Sequence, residues 1–189
     1  MIKLIAGLGN PGARYENTRH NVGFLAIDRL LKDSPAKSER MLHSALIFET
    51  EKYGMLCKPL RFMNHSGGPI AAVCREFEVN PEELLIVYDD FALELGLIRV
   101  RARGTSGGHN GLESIIEKFG TTHIPRVRLG IKTPQMDNWV DFVLSEFTRA
   151  EKREVAEMID LCCDVVSVIL EKGITAGMNQ FNKKQKLVE

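Results

Sequence analysis

Apolar side chains recur along this chain in two periods, and the switch between them marks out its elements. Residues 2–8 form a short apolar run closed by glycines, the pattern of a buried strand. Residues 9–21 are polar, carry Pro11 and predict a loop. Residues 24–31 place apolar groups at helical spacing. Residues 42–50 and 55–60 predict two paired strands about a turn at Tyr53-Gly54, and residues 70–77 predict a helix. Asn80-Pro81-Glu82-Glu83 reads as a helix start, with a cap residue and then proline at the first position. The turn must be brief, because residues 84–88 are an apolar strand. Residues 98–103 alternate apolar and basic groups, giving a strand with one charged face. A helix over 110–119 and a strand over 127–131 follow. Thr148 and Glu151 are spaced as a capping box before a long helix to about Lys172, which Gly173 stops. From about residue 180 onward, Lys183, Lys184 and Lys186 predict a frayed basic tail.

Strands alternating with helices predict the α/β class: one domain over residues 1–189, a single twisted sheet flanked by α-helices. The antiparallel pair over 42–60 makes that sheet mixed. No repeat, low-complexity segment or linker divides the chain.

Composition adds limits rather than a function. Lysine plus arginine number 25 and aspartate plus glutamate 25, so any nucleic-acid surface must be a local basic patch. Cys57, Cys74, Cys162 and Cys163 lack the C-x-x-C spacing of a zinc or redox site, and the adjacent pair falls in an apolar helix as small buried thiols. The chain starts straight into a strand, with no signal-peptide core, and no apolar run approaches the ~20 residues of a membrane span. These features predict a reduced, cytoplasmic protein.

Gly7-Leu8-Gly9-Asn10-Pro11-Gly12 matches the dinucleotide fingerprint G-x-G-x-x-G after a strand. That fingerprint requires a helix to open at once and hold the pyrophosphate. Here a polar stretch with no apolar face follows, and the acid about twenty residues on, Asp28, lies inside a helix. The glycines instead predict a loop that points Asn10 into a cleft.

Other loops beyond strand ends carry amides or titratable groups: His20 after Asn10, Asn64 in Phe62-Met63-Asn64, Asp89 after residues 84–88, and Asn110 in Gly108-His109-Asn110. In open α/β sheets such loops converge on one crevice. The set contains no nucleophile motif such as G-x-S-x-G, so its chemistry favours direct attack by water. Neutral imidazole can take water's proton, a neighbouring carboxylate can orient the ring, and amide NH₂ groups can hold a carbonyl as charge develops. Plainer roles stay open: His20 solvated in its loop, Asp89 capping a turn, Asn64 serving the loop backbone, His109 supporting a neighbour. His43, His65 and His123 are isolated, and none of the five histidines has metal-ligand spacing, so no metal and no cofactor is expected.

Taken together, Gly7 to Gly12, Tyr15, Thr18-Arg19-His20-Asn21-Val22-Gly23, Phe62-Met63-Asn64 with Ser66-Gly67, Asp89-Asp90, Ser106 to Leu112 and Arg128 to Ile131 resemble the bacterial-type peptidyl-tRNA hydrolase family. The pieces occur in family order across nearly the whole chain. The resemblance implies a monomeric, metal-free esterase that frees tRNA from peptidyl-tRNA. It implies His20 as base, Asp89 as its support and Asn10 as discriminator of a blocked from a free amino group. Asn64 and Asn110 would position substrate and water, and Tyr15 and Phe62 would line the place of the terminal tRNA residues.

Arg99, Arg101 and Arg103 alternate along one strand and so share a face. With Arg128, the places of Arg99 and Arg101 resemble the family's clamp on an acceptor-stem phosphate. The plainer alternative is a solvated strand face. The chain departs from the family pattern at Phe91-Ala92-Leu93-Glu94, where Leu-Asp-Leu-Pro is common, at Arg61 in place of threonine, and at Lys132 in place of glycine. Two other functions compete: a non-catalytic RNA-binding relative, which would need neither His20 nor Asp89, and a nucleotide-dependent oxidoreductase, which bound NAD would reveal.

Overall fold

The computed structural model describes residues 1–134 and 138–182. Seven strands form one mixed sheet: β1 (Leu4–Gly7), β2 (Ala36–Leu42), β3 (Ala45–Thr50), β4 (Gly54–Pro59), β5 (Leu84–Glu94), β6 (Ile98–Arg101) and β7 (Arg126–Lys132). Their order is β2-β3-β4-β1-β5-β7-β6. The four central strands β4, β1, β5 and β7 are parallel, while β2, β3 and β6 join antiparallel at the two sides. The helices are α1 (Val22–Asp33), α2 (Gly67–Glu76), α3 (Asn110–Phe119), α4 (Trp139–Val143), α5 (Glu151–Lys172) and α6 (Ile174–Phe181). The predicted α/β class and mixed sheet are what the chain adopts.

Side-chain alternation divides the central strands between two cores. Ile5, Leu85, Val87, Val127 and Leu129 pack with α1 and α5 through Ile27, Leu30, Met158, Cys162 and Val166. Leu4, Ala6, Leu84, Ile86 and Tyr88 pack with α2 and α3 through Ile70, Val73, Leu112 and Ile115. Burial on both faces explains why residues 84–88 read as an unbroken apolar run. All four cysteines are buried and free. No helix among the described residues is long and apolar enough to cross a membrane.

Several expectations need correction. The strand expected over 84–88 is longer in space than in the pattern, because β5 continues through Asp89 to Glu94. The strand expected over 42–50 is two strands joined at His43 and Ser44, whose φ angles of 53° and 59° suit a tight hairpin turn. β2 escaped notice because it is an edge strand whose residues are almost all exposed, so no apolar period marks it. Short helices α4 and α6 also went unpredicted. Asn80 and Glu83 do form a capping box, but on a single 3₁₀ turn. Thr148 and Glu151 exchange both expected capping bonds. Of the tail expected to fray, Phe181 ends α6, whereas Lys183, Lys184 and Lys186 lie outside the described residues.

Candidate active site

The site is assembled by close backbone approach at the carboxyl end of the parallel strands. A Cβ on Gly7 would lie 2.2 Å from the Gly23 carbonyl oxygen, and one on Gly23 would lie 2.4 Å from that of Val87. The start of α1 therefore sits directly on the end of β1 and on β5 at Val87. Gly9 lies equally close to the Phe24 ring. This packing, rather than a nucleotide, accounts for the first two glycines of the fingerprint-like run. One 3₁₀ turn, Arg19–Asn21, precedes α1 and is buried throughout. It delivers His20 to Asp89.

His20 Nδ1 lies 2.9 Å from both carboxylate oxygens of Asp89. His109 Nε2 lies 2.9 Å from Asp89 Oδ1. The Leu112 backbone N–H donates to His109 Nδ1 at 3.1 Å, so that nitrogen keeps its lone pair and the ring hydrogen sits on Nε2. His109 thus donates to Asp89 through Nε2. His20 donates through Nδ1, which leaves the lone pair on Nε2 to accept a proton. Asp89 has no solvent exposure, and His20 and His109 are buried beside it.

The electrostatics follow from that contact. Burial disfavours charged His20, but the Asp89 charge and its hydrogen bond outweigh burial and raise its pKa above the ordinary 6.5. Burial would likewise raise the Asp89 carboxyl; the charge His20 can carry and the hydrogen bonds from both imidazoles overcome it and hold Asp89 well below the usual carboxylate range. His20, Asp89 and His109 offer donor atoms within 4.8 Å of one another, a set able to hold a metal ion. Here, however, His20 Nδ1 and His109 Nε2 carry hydrogens aimed at Asp89. The chemistry of the set as it stands is that of a hydrogen-bonded relay.

Asn10 lies buried in the loop that follows β1. Its backbone N–H donates to Asn21 Oδ1 at 2.8 Å, and Asn21 Nδ2 donates back to the Asn10 carbonyl at 2.9 Å. The Met63 N–H donates to Asn10 Oδ1 at 2.8 Å. With its oxygen so engaged, the Asn10 side chain has its NH₂ left to offer a ligand. Asn64 lies in the one-turn 3₁₀ helix Met63–His65, and Asn110 is the first residue of α3; both are exposed. A Cβ on Gly111 would meet Met63 Sδ at 2.4 Å, so the Asn64 turn and the start of α3 are pressed together. Tyr15 and Phe62 meet edge to face with ring centroids 6.2 Å apart, and Phe62 is 55% exposed.

Arg99 and Arg101 do share one face of β6, and the register sets Arg99 opposite Arg128 and Arg101 opposite Arg126. The four are not equivalent. Arg128 is ion-paired to Asp90 at 2.5 Å. Arg126, absent from the expected set, is 2% exposed and donates to the carbonyls of Ile124, Thr105 and Thr122. Arg103 lies beyond the strand beside His123. Arg99 and Arg101 are therefore the more available cations.

Sequence reasoning also passed over Arg19 and Asn21, although both stand in the Thr18–Gly23 motif. The Arg19 guanidinium lies between the Phe142 and Phe147 rings, with centroid distances of 4.3 and 4.8 Å. It donates to both Glu151 carboxylate oxygens and to Ser145 Oγ. Their place on either side of the motif histidine was the available signal.

Comparisons with known proteins agree in direction. The family model described as Peptidyl-tRNA hydrolase matches residues 4–188. A peptidyl-tRNA hydrolase of Caldicellulosiruptor saccharolyticus is 43% identical over 182 residues, covering 95% of this chain and 96% of that protein. That of Bacillus subtilis is 41% identical over 185 residues, covering 96% and 98%. A crystal structure of peptidyl-tRNA hydrolase from Acinetobacter baumannii superposes with a TM-score of 0.87 at 30% identity, covering 96% of this chain and 94% of that one.

Proposed function

Since the chain belongs to the peptidyl-tRNA hydrolase family, and is an ester hydrolase of that kind, we propose that it cleaves the peptide–tRNA ester with water activated by His20. The observation that carries this reading is the buried His20–Asp89–His109 relay, which leaves His20 Nε2 as the one ring nitrogen of the relay free to accept a proton. Water gives its proton to Nε2 while its oxygen attacks the ester carbonyl. Asp89 stabilises the imidazolium that forms, and His109 keeps Asp89 oriented. When the tetrahedral intermediate collapses, the proton passes from His20 to the leaving ribose oxygen. The products are a peptide carboxylic acid and tRNA with a free 3′ end.

Asn10 has the geometry to select the substrate. Its NH₂ can donate to a carbonyl of an acylated amino group, whereas a free α-amine is largely charged near neutral pH and repels that donor. Asn21 serves as its positioning residue, since it clamps both main-chain polar groups of Asn10. Asn64 and Asn110, on the turn and helix start that Met63 and Gly111 press together, would position ester and water. On this reading the partner is tRNA, contacted along the stem by Arg99, Arg101 and Arg128. The chain would act as a cytoplasmic monomer, and no step is routed through a metal or cofactor.

The test is tRNA release from N-acetyl-aminoacyl-tRNA beside unblocked aminoacyl-tRNA, with a chelator present. Cleavage of the blocked ester alone is expected. No cleavage with tRNA binding intact would favour a non-catalytic RNA-binding protein, and loss of activity to the chelator would reopen the metal question.

A further inference from the structure

A second basic surface adjoins the segment that carries Phe62 and Asn64. Arg61, His65, His43 and Lys118 line one groove of about 640 Å³, floored by Gly68, Pro69 and Ala72 of α2 and walled by Ser114 of α3. All four basic side chains are exposed, and among the described residues no Asp or Glu lines the groove. The nearest recorded acid contact is Glu76, 3.5 Å from His43 Nε2. The tight β2–β3 turn fixes His43 at the groove's rim, and the Met63–His65 turn fixes His65 there.

Its neighbours suggest the occupant. Arg61 and His65 bracket exposed Phe62 and Asn64 in sequence, so the groove opens beside the Phe62–Tyr15 aromatic pair. Arg14 lies over the Tyr15 ring at 4.8 Å and adds a cation on that side. Exposed aromatic faces bordered by a positive groove are the physical signature of single-stranded nucleic-acid binding: bases stack while phosphates follow the charges. The β6 arginines lie on a different element, at the opposite side of the sheet, and cannot serve the same stretch of strand.

We propose that this groove holds the backbone phosphates of the unpaired nucleotides at the tRNA 3′ end, with Arg61 and Lys118 as the principal contacts. The proposal rests on the peptidyl-tRNA hydrolase reading. It also assigns a role to Arg61 and to His43 and His65, which the sequence alone left as a departure and as isolated histidines.

The experiment compares the wild-type protein with an Arg61→Ala/Lys118→Ala double variant, using deacylated tRNA with and without its unpaired 3′ nucleotides. The variant should bind intact tRNA about tenfold more weakly, with a log–log salt slope shallower by about 1.4, two single-strand phosphate contacts' worth. Both proteins should bind the truncated tRNA alike. Hydrolysis of N-acetyl-aminoacyl-adenosine, which carries none of these phosphates, should match wild type. Equal binding of intact tRNA by both proteins would overturn the proposal. So would an equal loss on truncated tRNA, which would place duplex in the groove, or an equal loss on the adenosine ester, which would place the effect at the reacting centre. Failure of the wild-type protein itself to cleave peptidyl-tRNA would instead sink the parent reading.

Discussion

At the residue scale, function turns on which nitrogen of His20 is free. Replacing His20 with alanine removes the proton acceptor, so turnover of N-acetyl-aminoacyl-tRNA should fall by at least about 10²-fold while tRNA affinity holds. Near-normal turnover would contradict the assignment. The pH dependence carries a sign that can be checked. Asp89 raises the His20 pKa, so protonated His20 favours the fold; that stability is complete below about 6.5 and is lost as pH rises through the raised folded value. The neutral base appears over the same interval, so the rate should climb as this stabilisation fades. In Asp89→Asn the lifting charge is gone while burial remains. The midpoint of the pH–rate curve should then move to lower pH, with a plateau lower by about 10²–10⁴-fold. Single-turnover rates across the neutral range would show it, and an unmoved or higher midpoint would refute the coupling. The resemblance named Asp89 as the support of His20 but could not show their contact. The tautomer of His109, and with it the direction of every hydrogen bond in the relay, came from the Leu112 N–H.

At the element scale, the turn that carries His20 is held by parts far along the chain. The Arg19 N–H donates to the Ser145 carbonyl, Thr18 bridges to Glu146, and the Arg19 side chain ties down Glu151 at the start of α5. Both members of that ion pair are largely buried, so removing one strands the other. Arg19→Ala should cost about 3–5 kcal/mol in denaturant unfolding. Arg19→Lys should recover little, because lysine can neither chelate both oxygens nor stack between two rings. Full rescue by lysine would mean that charge alone matters. The departures from the family pattern also make sense between elements. Glu94 ends β5 opposite Lys132 at the end of β7, so two of the departures fall side by side in the sheet register. Phe91 stacks on Trp139 of α4 with centroids 5.7 Å apart, joining the end of β5 to that helix.

At the scale of the whole molecule, formal neutrality hides an uneven charge distribution. Arg99 and Arg101 stand on the edge strand of a sheet whose opposite side carries the groove at Arg61 and Lys118. An Arg99→Ala/Arg101→Ala variant should bind tRNA more weakly and with a salt slope shallower by about 2, whether or not the 3′ nucleotides are present. Titrations at several salt concentrations would test this; an unchanged slope would show that the β6 face meets no phosphate. Retained binding of truncated tRNA separates this edge from the groove, so the two basic surfaces can be told apart in one set of measurements.

The sequence by itself determined the α/β class, the central parallel strands and the ordered motifs, because each leaves a local trace: an apolar run buried on both faces, a capping pair, glycines beside polar residues. It could not disclose β2, whose stability comes from pairing with β3 rather than from an apolar face of its own. Nor could it give the surroundings of Arg126 and Arg128, since the same residue type at alternate positions differs only in what packs around it: carbonyl oxygens for one, Asp90 for the other. Only the tertiary structure decided that His20 meets Asp89 across 69 residues of chain, that Asn21 clamps Asn10, and that Arg61 and Lys118 share a groove. Those facts depend on contacts between distant segments, to which local periodicity is blind.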